Sequence, residues 1–145
     1  MRGALTLRIV AALMPVLTSI AIADAAPRSA VLEATTRADW RAAKLDGTGC
    51  YWSPRRGGPV QFVAAGDKAM TKVNGRVVIL KPRRDARELF PFTYDAWRSG
   101  DLTIRLVDTA RIRAMGYETV TTDAALIVTR RNVTTRLRGS MICGS

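Results

Sequence analysis

The sequence predicts a mainly β domain: a small antiparallel barrel or sandwich with a short N-terminal helix and one disulfide. Three observations carry this reading. Apolar and polar residues alternate in several short runs after Cys50, the period of half-buried strands. Asn74-Gly75 sits between two β-prone runs, the strongest short-range hairpin signal. Two distant cysteines, Cys50 and Cys143, follow an N-terminus laid out like a cleaved secretory signal.

That N-terminus sets the compartment in which the rest is read. Arg2 and Arg8 precede an apolar run from Ile9 to Leu17, and small residues close the segment around Ala23 and Ala25. The charge-free stretch Ile9–Ala23 is 15 residues long and contains Pro15, whereas a spanning helix needs about 20 apolar residues. Residues 1–25 are therefore expected to be a signal peptide, with cleavage after Ala23 or, preferably, Ala25. No Arg-Arg pair precedes the apolar run, which points to the general secretory route. The protein is then periplasmic or secreted, and an even cysteine count reads as a structural disulfide. No Cys-x-x-Cys spacing suggests redox work.

Residues 26–48 form an alanine-rich lead. Thr36-Arg37-Ala38-Asp39 resembles a capping box ahead of Trp40-Arg41-Ala42-Ala43-Lys44-Leu45, and Gly47 is placed to end the helix. Trp40 is expected to dock on the core. The β domain spans 49–145. Its first strand signal lies at Cys50, and Pro54-Arg55-Arg56-Gly57-Gly58-Pro59 reads as a loop bounded by proline. Val60, Phe62 and Ala64 alternate. The hairpin arms are predicted at about Ala69–Val73 and Arg76–Lys81, and Pro82 ends the second because it cannot donate to a ladder. Leu102, Ile104 and Leu106 alternate next. Ala124–Thr129 is a β-prone run, and Val133, Thr135 and Leu137 alternate after a tip at Arg130-Arg131-Asn132. Six or seven short strands suit a small barrel or sandwich.

Composition narrows the chemistry. The chain has no histidine, which removes histidine-based triads and metal sites. Neither Gly-x-x-x-x-Gly-Lys-Ser/Thr nor Gly-x-Gly-x-x-Gly occurs, so no nucleotide cradle is visible. No cofactor or metal is expected. A hydrolase built on two carboxylates is the remaining enzymatic option. Asp101 and Asp108 bracket one strand, and Glu88, Asp95 and Glu118 are scattered; catalysis is the disfavoured reading. Asn132-Val133-Thr134 fits the glycosylation triplet, but a hairpin tip accounts for Asn132 unaided.

Charge is the more informative feature. Beyond residue 25 there are 21 basic and 11 acidic residues, a net charge of +10, and only four bases are lysine. Arginine supplies planar forks for carboxylate and phosphate. An exported basic protein meets anionic lipids and glycans rather than genomic DNA. The candidate binding residues are Arg83, Arg84 and Arg87 after the Asn-Gly hairpin, beside Lys81, with Arg130, Arg136 and Arg138 on the last hairpin. The expected function is non-catalytic recognition of an anionic cell-envelope component, including contact with a membrane surface. A protein-directed inhibitor or envelope accessory module is the alternative, using Phe90, Phe92 and Trp97 as an apolar contact surface.

The order of Cys50, Val73-Asn74-Gly75-Arg76, Trp97-Arg98-Ser99-Gly100-Asp101 and Cys143 resembles the membrane-bound and periplasmic inhibitors of C-type lysozyme. The resemblance implies a small antiparallel barrel with a disulfide, and it underlies the inhibitor alternative. In three respects the chain departs from the family. No tyrosine follows Ser99-Gly100 until Tyr117, the segment from Gly100 to Cys143 is longer, and the positive charge would repel a basic lysozyme. Only the fold is carried over, and none of the family's functional residues.

Overall fold

A computed structural model describes residues 31–89 and 93–145. The expected signal peptide, Phe90 and Phe92 lie outside the described residues. Among the described residues one helix, α1 (Arg37–Ala42), precedes ten strands. These are β1 (Gly49–Ser53), β2 (Phe62–Ala65), β3 (Lys68–Val73), β4 (Arg76–Pro82), β5 (Glu88–Leu89), β6 (Thr93–Tyr94), β7 (Ala96–Ser99), β8 (Leu102–Met115), β9 (Thr119–Arg130) and β10 (Val133–Gly144). Eight of them close a barrel in the order β1-β10-β9-β8-β7-β4-β3-β2, and β5 pairs with β6 alone. Every pairing is antiparallel. The expected β domain is therefore a closed barrel rather than a sandwich. Its strands are not uniformly short: β8, β9 and β10 run 14, 12 and 12 residues.

Local chemistry explains the tight turns. Asn74 and Gly75 both take positive φ, 52° and 71°, as a type I′ turn demands. Arg131 and Asn132 do the same between β9 and β10. The capping box forms: Thr36 Oγ1 accepts the Asp39 amide at 3.2 Å, and Asp39 accepts the Thr36 amide at 2.8 Å. The helix ends earlier than Gly47, however. Lys44 adopts the left-handed conformation at φ 56° and turns the chain.

The barrel interior holds Trp52, Trp97, Phe62, Leu80, Ile104, Leu126 and Met141, each at most 1% exposed. Trp52 is accommodated by two small residues paired across the wall, Ala124 and Gly139. Its indole N–H donates to the Ala124 carbonyl at 3.2 Å, and a Cβ on Gly139 would lie 2.6 Å from its ring. The barrel closes where its first and last strands meet. Cys50 and Cys143 face each other across that seam and form the disulfide, with Cα atoms 4.1 Å apart. Tying a loop of 93 residues is worth about 4–5 kcal/mol in the chain-entropy model.

A second, smaller core lies outside the wall. Leu45, Val63 and Met70 are buried there, with Trp40, Ala43, Tyr51 and Val60 packed around them. The lead thus docks through Trp40 as expected. It is tied down further by Leu32, which is 4% exposed in the main core, and by a bridge from Glu33 to Lys72.

Candidate functional site

The six candidate arginines do not converge. They fall in three places, and acids decide what each place can do.

In the first, the loop after β4, Arg83 lies against Asp85 at 2.8 Å. Arg105 of β8 spans Asp85 at 2.8 Å and Asp95 at 3.2 Å. Arg87 reaches Asp95 at 3.5 Å, and its backbone N–H donates to the same carboxylate at 2.8 Å. Asp95 is only 6% exposed. Desolvation opposes ionisation of Asp85, but hydrogen bonding and charge from Arg83, with the charge of Arg105, hold its pKa below the ordinary value. Arg83 and Arg105 are committed to a structural ion-pair cluster, while the Arg87 side chain is 82% exposed at its edge. Arg84 is exposed beside it.

The second place is the β9–β10 turn. Arg130 and Arg131 share Asp101, at 3.8 and 3.5 Å. Arg130 is therefore partnered and removed from the others.

The third place is the outer face of β9 and β10. Arg136 and Arg138 project outward and are exposed, alternating with the half-buried Leu137 and Gly139. Two concavities run along them. One, of about 380 Å³, is lined by Arg55, Arg56, Arg113, Asp123 and Arg138 among others. The other, of about 470 Å³, includes Thr109, Asp123, Arg136 and Arg138. They share Asp123, Arg138 and Gly139, so they form one continuous surface. Among the described residues, Arg55, Arg56, Arg136 and Arg138 have no carboxylate within 4.0 Å.

Three elements build this surface. The alternation of β10 aims Arg136 and Arg138 outward. The proline-bounded loop between β1 and β2 carries Arg55 and Arg56 over the same wall. A bulge in β8 delivers the rest: the register against β9 slips between Asp108 and Ile112 and again before Ala114. Ala110 sits at φ 57° there, with its amide held by Asp108 at 2.9 Å. Bulges re-aim side chains in this way. Arg113 consequently grips Asp123 by three contacts of 2.6 to 2.9 Å. That hydrogen bonding, reinforced by the charges of Arg113 and Arg111 against some desolvation, lowers the Asp123 pKa. The same contact raises that of Arg113.

Sequence reading therefore found Arg136 and Arg138 but missed Arg55, Arg56 and Arg113. The Arg-Arg pair inside a Pro-Gly loop was the available signal. Nothing local marked the bulge.

The other candidates resolve differently. Trp97 is fully buried, with its indole N–H on the Tyr94 carbonyl at 2.9 Å, so it supplies no contact surface. Asp101 and Asp108 are seven residues apart along extended chain, about 23 Å, and face no common cleft. Asp95 is engaged as above, and Glu118 accepts from Ser145 at 2.7 Å. A further cavity, about 560 Å³, lies between α1 and the barrel and includes Arg37, Trp40, Arg41, Tyr51 and Ile142. The polar ends of both rings are used internally, Trp40 on Thr35 at 2.8 Å and Tyr51 on the Gly47 carbonyl at 2.6 Å.

No protein-family model, curated protein or solved structure matches this chain.

Proposed function

We propose that this protein is an exported, non-catalytic binding module that recognises an anionic cell-envelope component through the arginine face of β9 and β10. The carrying observation is the convergence of Arg55, Arg56, Arg136 and Arg138, none with a carboxylate partner among the described residues, on one continuous concave surface. Guanidinium forks bind phosphate and carboxylate oxygens in pairs. The surface is shallow and open to solvent, which suits a repeating or planar array of anions better than an enclosed small molecule. The cross-seam disulfide supports an oxidising compartment, as does the signal-like N-terminus.

Binding carried by exposed charges is screened by salt. Association with an immobilised phosphate-bearing polymer, measured at about 0.05 M and about 0.5 M salt, is expected to fall by at least tenfold at the higher concentration. Equal affinity at both concentrations would overturn the proposal.

A further inference from the structure

We propose that the β8–β9 hairpin seats the protein on an anionic lipid bilayer. Its apolar tip enters the headgroup region, and the arginine face beside it engages lipid phosphates. The inference rests on the anion-binding reading and names the form in which the anion is presented.

Beyond Leu106 the β8 edge of the hairpin has no β7 neighbour, while β9 stays in the barrel wall, paired to β10 as far as Thr119 opposite Gly144. β7 pairs with β8 only from Leu102 to Arg105, and the Leu106 amide makes one more bond, to the Asp95 carbonyl. From there on β9 is the strand paired to β8, and every residue from Thr109 to Met115 is exposed. Solvent-facing hairpin tips are ordinarily polar. Here Tyr117 is fully exposed at the turn, with Met115 at 75% and Ile112 at 56%. Ile112 stands opposite Thr122, and Met115 opposite Val120. Directly opposed residues share a face, so the two apolar side chains extend the inner face of the sheet along the unpartnered edge of β8. The opposite side of the hairpin carries Arg113 on Asp123 and leads to Arg138 and Arg136. One flank is apolar and the other is cationic.

That combination matches the two signals stable peripheral attachment requires. Partial insertion of a few side chains is weak alone, as is attraction of a basic surface to acidic headgroups, but the two reinforce each other. Tyrosine suits the position because its ring is comfortable at headgroup depth while its hydroxyl stays wet. Charge complementarity commits the occupant to an anionic bilayer; an apolar protein surface would leave the adjacent arginines unmatched.

The test uses the full mature chain with two probes: vesicles of phosphatidylglycerol in phosphatidylcholine, and soluble polyphosphate. The double variant Met115→Ser/Tyr117→Ser changes exposed residues only. It is expected to lose about tenfold in vesicle co-sedimentation and to keep its polyphosphate affinity. Arg136→Glu/Arg138→Glu is expected to lose both. Tyr117→Trp supplies an independent readout, since its emission should shift to the blue on phosphatidylglycerol vesicles and stay unshifted on pure phosphatidylcholine. If the tip variant binds vesicles like the parent, or the Tyr117→Trp emission stays unshifted, the insertion is wrong and the anion reading stands. Polyphosphate binding without vesicle binding likewise overturns the insertion and points to a glycan. Failure of the parent to bind either probe at low salt overturns the anion reading itself.

Discussion

Two arginine clusters on one barrel have opposite electrostatic fates. The loop after β4 contributes Arg83 and Arg87, and β8 adds Arg105, around two carboxylates, one of them nearly buried. The β9–β10 face gathers Arg55, Arg56, Arg113, Arg136 and Arg138 around Asp123, the one carboxylate lining it among the described residues. The first cluster fastens a loop to the barrel wall. The second has unspent charge. What separates the structural cluster from the proposed binding surface is therefore the supply of acids that the fold delivers to it, and arginine density says little by itself.

The sharpest way to break this comparison is to reverse charge in each cluster. Arg136→Glu/Arg138→Glu removes two forks that can each make charge-assisted hydrogen bonds, worth about 1.5–3 kcal/mol apiece. Affinity for an anionic probe should fall by about 100-fold, with little change in melting temperature, since both side chains are exposed. Arg83→Glu should leave affinity within about threefold, because its guanidinium is already paired with Asp85. Titration of both variants against polyphosphate at low salt checks the pair. Equal losses would erase the distinction.

The converse perturbation targets stability. Asp95→Asn keeps one acceptor for the Arg87 amide but removes the charge facing Arg105 and Arg87. Truncating a nearly buried, charge-assisted group costs about 1–3 kcal/mol, and the melting temperature should drop by roughly 5–12 °C. Anion affinity should stay unchanged. Thermal denaturation and the same titration would give the mirror image of the β10 double variant. A melting temperature equal to that of the parent would show that the loop cluster stabilises nothing.

How much of this was legible in the sequence depends on the range of the interactions. The Asn74-Gly75 turn, the Thr36 capping box and the alternation around Ile104 and Thr135 are local, so residue type and spacing suffice. The disulfide was legible because only two cysteines were there to pair. The arginine face was half legible: β10 alternates, so Arg136 and Arg138 share a side whatever the barrel does. Arg55 and Arg113 join them through barrel closure and a β8 bulge in which Ala110 takes a positive φ, with no glycine to announce it. Lys44 likewise took the left-handed turn expected of Gly47. The pairing of Arg105 with Asp85 and Asp95 was hidden for the same reason: strands meet by register, and register is set by the whole sheet.

The smallest expected effect concerns Asp123, the acid on the proposed binding face. Hydrogen bonding from Arg113 lowers its pKa below 3.8, its ordinary value, so the folded protein holds Asp123 ionised more readily than the unfolded chain does. The stabilisation this contributes is present above the unfolded pKa, near 3.9, and is lost as pH falls through the lower folded value. Between pH 7 and pH 5 Asp123 stays charged and cancels one arginine, so its ionisation adds no pH dependence to anion affinity there. Asp123→Asn removes that cancellation and frees Arg113 from a charged partner. Affinity for polyphosphate at neutral pH should rise by about threefold, the scale of one exposed charge pair. In the parent, the same gain should emerge only as pH falls below 3.8 and through the lowered folded pKa of Asp123, where the internal groups of polyphosphate remain ionised. An Asp123→Asn variant that binds no tighter than the parent would mean that Arg113 stands outside the binding surface, and that Arg55, Arg56, Arg136 and Arg138 act without it.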